Sequence, residues 1–189
     1  MDESPKSVTL SRDVEAVVVP IGNPVTLQKG EVAEIVQSLG GAHTIIVSGN
    51  MYRVEGANSD ALGLESEIEA VKPEPSNASD GVTEDDIMDC VWNQMRLVYD
   101  PEIPVNIVDL GLVYDCQLNQ IDSGSEYSAS VKMTLTAPGC GMGDHLCHDV
   151  KMKILQIEGV QEADVELVWE PQWDQSMMTD EARLTLGFM

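Results

Sequence analysis

One cysteine in this chain is presented in the way a reactive or metal-binding thiol has to be. Cys140 lies in the stretch Leu135-Thr136-Ala137-Pro138-Gly139-Cys140-Gly141-Met142-Gly143, between a strand-like run (127–136) and a helix-like run (143–157). Pro138 has no backbone donor, so a β-ladder stops there. Gly139 and Gly141 leave the backbone on either side of the thiol uncovered and free to take positive φ. Cys140 then falls at or just before a helix N-terminus, where unpaired amides and the helix dipole favour a thiolate over a thiol. A nucleophile, a redox group and a metal ligand all need that thiolate. A cysteine merely sitting in a tight turn has the same neighbours, and the residues alone leave both readings open.

The other candidates are less well presented. Cys147 is seven residues after Cys140; on a helix that is a rise of about 10 Å, too far for one ion to hold both unless the loop folds back. Cys147 therefore reads as packing. Cys90 belongs to an apolar helical stripe with Ile87, Val91 and Val98, and Cys116 to an alternating strand face with Leu110, Leu112, Tyr114 and Leu118; both read as core thiols. His145 and His148 fall on the polar side of their helix and read as solvated, with an accessory-ligand role open, particularly for His145. His43, beside Gly40-Gly41, reads as the solvent-facing start of a strand. No histidine and no resolving cysteine is placed beside Cys140, and no P-loop pattern occurs, so an enzyme is not expected.

The elements that must position Cys140 follow from patterning. Residues 8–56 read as short strands between Gly turns, a small barrel or curled sheet; 32–37 carries apolar residues at 32, 35 and 36, which also fits a helix. The acidic, Pro- and Ser-containing segment 58–82 reads as a linker between a β-rich N-terminal domain (1–57) and a second domain (83–189). In the second domain Thr83-Glu84-Asp85-Asp86 opens a helix. A strand follows over 107–118, then a turn at Asp122-Ser123-Gly124-Ser125 and a returning strand with Ala129, Val131, Met133 and Leu135 on one face. The helix after Cys140 carries Leu146, Val150, Ile154 and Ile157, and a last strand alternates Val165, Leu167 and Trp169 before a short C-terminal helix. The expected fold class is α+β, an α-β-β-α-β-α helix/sheet sandwich with one sheet face covered by helices, preceded by the β-rich domain.

Composition narrows the partners. The net charge of −23 argues against nucleic acid and against anionic membrane surfaces, and no apolar run reaches the ~18 residues of a membrane span. The start MDESPKS is unlike a signal peptide, and four cysteines without a C-x-x-C do not resemble a disulfide framework, so a reducing cytoplasmic setting is expected.

Several motifs, in order, resemble a known family. Asp100-Pro101-Glu102-Ile103-Pro104, then Ile107-Val108-Asp109-Leu110-Gly111-Leu112-Val113-Tyr114, then Thr134-Leu135-Thr136-Ala137-Pro138-Gly139-Cys140, then Val168-Trp169-Glu170-Pro171-Gln172-Trp173 are similar to the small α+β domain of iron–sulfur cluster assembly factors. That family includes SufT, the PaaD-like proteins, eukaryotic cytosolic targeting factors and a domain fused to some Mrp-type ATPases. The resemblance covers 83–189, and the N-terminal stretches 8–17, 39–41 and 61–63 resemble the extension that sets SufT-type members apart. It implies an accessory factor that helps to load clusters into recipient proteins. It matches Cys140 to the family's reactive cysteine, supported by Thr136, Pro138, Gly139 and Gly141, and places Asp100 and Asp109 in the same pocket as structural caps or as oxygen partners for iron. The implied partners are Fe–S scaffold or carrier proteins and recipient apo-proteins. A stable cluster wants four thiolate or histidine ligands. One presented thiol implies a labile cluster or iron rather than a tightly bound one, shared with a partner or across a homodimer. The alternative is a metal-free adaptor between scaffold and client, with Cys140 structural.

Overall fold

The computed structural model describes residues 6–65, 71–75, 82–100, 103–121, 126–137 and 141–188. The chain separates into two compact units, one of residues 1–68 and 140–142 and one of residues 69–139 and 143–189.

In the N-terminal unit six strands, β1 (Lys6–Thr9), β2 (Val14–Val18), β3 (Pro24–Leu27), β4 (Val32–Leu39), β5 (Ala42–Val47) and β6 (Asn50–Val54), form one antiparallel sheet in the order β1-β4-β5-β6-β2-β3. The β1/β4 ladder runs on past the strand ends, where Leu10 exchanges backbone hydrogen bonds with Gly30 and Glu31. Ser48 (φ 51°) and Gly49 (φ 82°) take the left-handed turn whose twist suits a hairpin between β5 and β6. Leu10, Val14, Leu27, Ile45, Val47 and Val54 fill the interior. The ambiguous segment 32–37 is strand. Its burial alternates strictly, so Val32 (60% exposed) and Val36 (43% exposed) lie on the outward face with Glu34 while Ala33 and Ile35 face in, and these exposed valines give the helix-like spacing.

His43 is not solvent-facing. It is 8% exposed, with Nδ1 2.8 Å from Ser38 Oγ and Nε2 2.8 Å from Ser59 Oγ. Ser59 spends its one hydroxyl proton on the Gly56 carbonyl (2.8 Å), so Nε2–H donates to Ser59 and Nδ1 accepts from Ser38. Ser59 lies in a 3-10 turn, Gly56–Leu62, whose Ala61 and Leu62 are buried in the same core. The start of the stretch that composition marks as linker therefore packs with the sheet, through two apolar residues too few to register as a pattern.

In the C-terminal unit, α1 (Glu84–Met95) precedes β7 (Val113–Ile121) and β8 (Glu126–Met133), and α2 (Gly143–Ile154) precedes β9 (Val160–Leu167) and α3 (Asp180–Thr185). The sheet order is β7-β8-β9, with β7/β8 antiparallel and β8/β9 parallel. Parallel neighbours cannot be joined by a hairpin, and α2 supplies the crossover. Ala129, Val131 and Met133 of β8 and Ala163 of β9 are buried on one face, where Ile87, Val91 and Met95 of α1 and Leu146, Val150 and Ile154 of α2 are buried too. The other face is polar, with Asp115, Lys132 and Glu166 in one row and Gln117, Ser130 and Asp164 in the next. Thr83 caps α1 in the expected capping box: its Oγ1 accepts from the Asp86 amide (3.3 Å), and Asp86 Oδ2 accepts from the Thr83 amide (2.8 Å).

Three boundaries differ from the patterning. The strand expected over 107–118 begins at Val113, because Asn106 Oδ1 accepts from the Val108 and Asp109 amides (3.1 and 2.9 Å) and folds 106–111 into turns. The helix expected over 143–157 ends at Ile154; Val71 of the acidic segment pairs with Ile157, donating to the Gln156 carbonyl and accepting from the Glu158 amide, both at 2.9 Å. Trp169 falls beyond the end of β9. The turn expected at Asp122-Ser123-Gly124-Ser125 lies outside the described residues.

Candidate functional site

The carboxyl ends of a parallel strand pair face the loops that connect them, and such ends are where α/β sheets place their ligands. Here the ends of β8 and β9 carry residues 134–136 on one side and 169–173 on the other, and a cleft of about 420 Å³ lies between them. Thr134, Leu135, Thr136, Trp169, Glu170 and Trp173 are among its lining residues. Thr136 is half-buried, and the chain runs on from it toward Cys140. Pro138, Gly139 and Cys140 themselves lie outside the described residues. Gly141 is exposed in a turn. Gly143 begins α2, and a Cβ there would crowd the Leu135 side chain, so the glycine lets the helix start close against the strand end.

The far wall of the cleft is stitched to the turns that follow Asn106. Trp173 Nε1 donates to the Leu110 carbonyl (2.8 Å), and Tyr114 Oη donates to the Pro171 carbonyl (2.8 Å) and lies 3.5 Å from Met177 Sδ. The Thr179 amide donates to the Asp109 carbonyl (2.9 Å). Gly111 has φ 71°, and a Cβ there would run into the Met177 carbonyl. Three of the motif stretches singled out by sequence thus meet in one place: the Asp109–Tyr114 stretch, residues 134–136, and the two-tryptophan segment.

Asp109 is held by Asn106, whose Nδ2 donates to Asp109 Oδ2 at 2.6 Å. Asn106 also bridges to Tyr99, next to Asp100, and the Ile107 amide donates to the Val98 carbonyl (2.9 Å), which closes the loop containing Asp100. Asp100 is 7% exposed and its carbonyl accepts from the Ile103 amide. Pro101 and Glu102 of that loop lie outside the described residues. Asn106, Tyr114 and the two tryptophans were not among the site residues read from sequence. Asn106 left a signal, an Asn just ahead of an Asp-Leu-Gly turn, whereas Trp173 and Leu110 are 63 positions apart.

The three described thiols are all held protonated. Burial pushes Cys116 up to about 11, helped by Asp115, and its Sγ lies 3.8 Å from Met88 Sδ. Burial and Asp144 push Cys147 up to about 11. Cys90 is raised by burial, then by Asp89 and Asp86. All three are half-buried. A thiol so raised is a poor nucleophile and a poor ligand at neutral pH. His148 is exposed and His145 half-buried on α2. Among the described residues, no group of three or more His, Cys, Asp and Glu side chains is arranged to hold a metal ion. Among the described residues, no helix is long and apolar enough to cross a membrane.

Known proteins match this unit. The family described as "Iron-sulfur cluster assembly protein" matches residues 89–167. An Fe-S protein maturation auxiliary factor of Porphyromonas gingivalis is 45% identical over 107 residues, which is 57% of this chain and 93% of that protein. The Fe-S protein maturation auxiliary factor SufT of Staphylococcus aureus is 41% identical over 91 residues, 48% of this chain and 98% of that protein. Among solved structures, a domain of unknown function from Bacillus anthracis is 33% identical and covers 56% of this chain and 95% of that chain, with a TM-score of 0.45. Because those 91 residues make up 98% of the staphylococcal protein, it has no room for a counterpart of the N-terminal unit, and the resemblance of 8–17, 39–41 and 61–63 to a SufT-type extension gains no support from it. With 45% identity across 93% of one relative and a family match spanning α1 to β9, the chain belongs to the iron–sulfur cluster assembly protein family.

Proposed function

We propose that this protein is a non-enzymatic accessory factor in iron–sulfur cluster maturation, acting in the cytoplasm to help load clusters into recipient apo-proteins. The observation that carries this reading is the 45% identity over 93% of a relative named an Fe-S protein maturation auxiliary factor. The iron or cluster is cargo. Cys140 serves as its transient ligand, in a pocket to which Asp100 and Asp109 contribute, and the remaining ligands come from a carrier, a recipient or a second copy of the chain. The raised thiols of Cys90, Cys116 and Cys147 support assigning this work to Cys140. Delivery is ligand exchange without redox change. A recipient thiol gives up its proton, its sulfur forms the new iron–sulfur bond, the bond from iron to Cys140 breaks, and the released thiolate can take up a proton.

The test is the activity of a 4Fe–4S dehydratase in cells lacking the gene, with the dehydratase protein level measured in parallel. Low activity at normal protein level, restored by the wild type and not by Cys140→Ser, is the expected result. Restoration by both proteins would assign the role to a metal-free adaptor, and an unchanged dehydratase under iron limitation would end the maturation reading. Native protein at neutral pH should also show one fast-labelling thiol and three slow ones, and loss of the fast one in Cys140→Ser. Equal labelling of two or more thiols would contradict this assignment.

A further inference from the structure

The cleft between Thr136 and the segment 169–173 has a chemistry that cluster loading does not use. Its volume of about 420 Å³ lies in the ordinary range for a bound group. Trp169, Trp173 and Glu170 are among its lining residues, and among the described residues no basic residue lines it. Trp173 is fixed by its bond to the Leu110 carbonyl, while Trp169 stays 45% exposed and Glu170 is exposed beside it. Arg183, the cation of the adjoining segment, is committed elsewhere. Its Nε and Nη2 donate to the Gln175 and Ser176 carbonyls (3.2 and 2.7 Å), and its Nη1 lies 3.5 Å from Asp180. An aromatic face attracts a cation, and a carboxylate beside it favours the planar fork of a guanidinium. With 33 acidic and 10 basic residues, the chain as a whole draws basic partners toward it.

We propose that this cleft receives an arginine side chain of a partner protein, stacked on Trp169 and paired with Glu170. The partner's identity, a cluster carrier or recipient, rests on the maturation reading; the binding chemistry rests on the cleft alone.

The test uses the full chain and two short peptides, Gly-Arg-Gly and its citrulline counterpart, which keeps the shape of arginine and removes the charge. Binding is followed by NMR at the backbone amides and at the Trp173 indole N–H. The arginine peptide should bind saturably and the citrulline peptide about tenfold more weakly. Glu170→Gln should weaken arginine binding about fivefold and leave citrulline binding unchanged, and Trp169→Leu should weaken arginine binding about as much again. Glu162→Gln, an exposed carboxylate on the open face of the sheet, serves as the control and should change nothing. Equal binding of both peptides, indifference to Trp169→Leu, or an equal loss in Glu162→Gln would overturn the proposal, the last by reducing it to general charge attraction. In the dehydratase assay, failure of Cys140→Ser with full complementation by Glu170→Gln would sink arginine docking and leave maturation standing. The expected peptide pattern together with an unaffected dehydratase in cells lacking the gene would do the reverse.

Discussion

In the N-terminal unit every strand neighbour is antiparallel, and β4, β5 and β6 follow one another through tight turns at Gly40-Gly41 and Ser48-Gly49. In the C-terminal unit one pair, β8 and β9, is parallel and needs α2 to join it. Hairpins spend their connections on reversing direction and bring each strand end straight back into the sheet. A crossover leaves the loop at a strand end free of that duty, and here the free ends border a cleft lined by two tryptophans and lead toward Cys140. The units also differ in what they bury. The first buries His43 and Arg53, partnered by Ser38, Ser59 and Glu55, and the second buries the acids Asp86, Asp100 and Asp149 with Gln94, Asn106 and Thr134 among aliphatic and methionine side chains. The second unit has a close backbone approach at Gly111, and the first a buried ring, His43, bonded at both nitrogens.

The sharpest way to break that contrast is at glycine. Gly111 needs both its left-handed backbone and its bare Cα, whereas Gly30 (φ 90°) has nothing within 4 Å of where a Cβ would be. Gly111→Ala should cost about 3 kcal/mol, combining roughly 1–2 kcal/mol for the backbone with a similar cost for displacing the Met177 carbonyl. Gly30→Ala should cost only the backbone share, about 1–2 kcal/mol. All three tryptophans, Trp92, Trp169 and Trp173, belong to the C-terminal unit, so urea denaturation followed by tryptophan fluorescence reads Gly111→Ala directly. Gly30→Ala is read by hydrogen exchange at the β2 and β3 amides. Equal costs at the two positions would show that the close approach at Gly111 contributes nothing.

His43→Leu tests the other half of the contrast. It removes a ring bonded at both nitrogens and leaves Ser38 and Ser59 without that partner, at about 2 kcal/mol. Faster hydrogen exchange at β5 and β6 amides is the expected sign. Unchanged exchange would mean that the buried polar trio is incidental to the stability of the six-stranded sheet.

How much of this could be read from sequence follows the range of the interactions. The start of α1 was legible because a capping box is written within four residues, and the faces of β8 because alternation is local. Val36 misled because valines on the exposed face of a strand imitate helical spacing, and Ile107 through Leu112 because an Asn side chain can fold an apolar run into turns. His43 looked exposed because its partner Ser59 lies 16 residues on, in a stretch whose composition resembles a linker. The same rule holds at the candidate site. Local residue types single out the Cys140 loop, but the cleft wall depends on Trp173 reaching Leu110 and Tyr114 reaching Pro171, contacts 63 and 57 positions apart. The family motifs carried that long-range information without explaining it.

A smaller effect is expected at the cap of α1. Thr83→Ala removes the acceptor of the Asp86 amide and one of the donors to the buried Asp86 carboxylate, at about 1 kcal/mol. Tryptophan fluorescence should register it through Trp92 on the same helix. Thr83→Ser keeps the hydroxyl and should recover most of the loss. If Ser does no better than Ala, the box geometry is not what starts this helix.

The smallest effect separates the units by pH. Arg12 grips Asp60 with both prongs, Nε to Oδ2 at 2.8 Å and Nη2 to Oδ1 at 2.6 Å, on the surface of the N-terminal unit. That grip holds the Asp60 carboxyl below its ordinary 3.8. A carboxyl depressed on folding adds stability above its unfolded value and gives it up as pH falls through the lower folded one. In the C-terminal unit the sign is opposite. Cys116 and Cys147 are raised from 9.0 to about 11, so their contribution is complete below 9.0 and is lost as pH rises toward 11. Arg12→Gln should therefore lower the melting temperature slightly at neutral pH and not at all in strong acid, where Asp60 is protonated in either protein, and salt should shrink the difference further. Cys116→Ala should leave the acid limb untouched and flatten the fall in stability on the alkaline side. An acid-side effect of Cys116→Ala, or an alkaline-side effect of Arg12→Gln, would show that the two units do not keep their titrating groups apart.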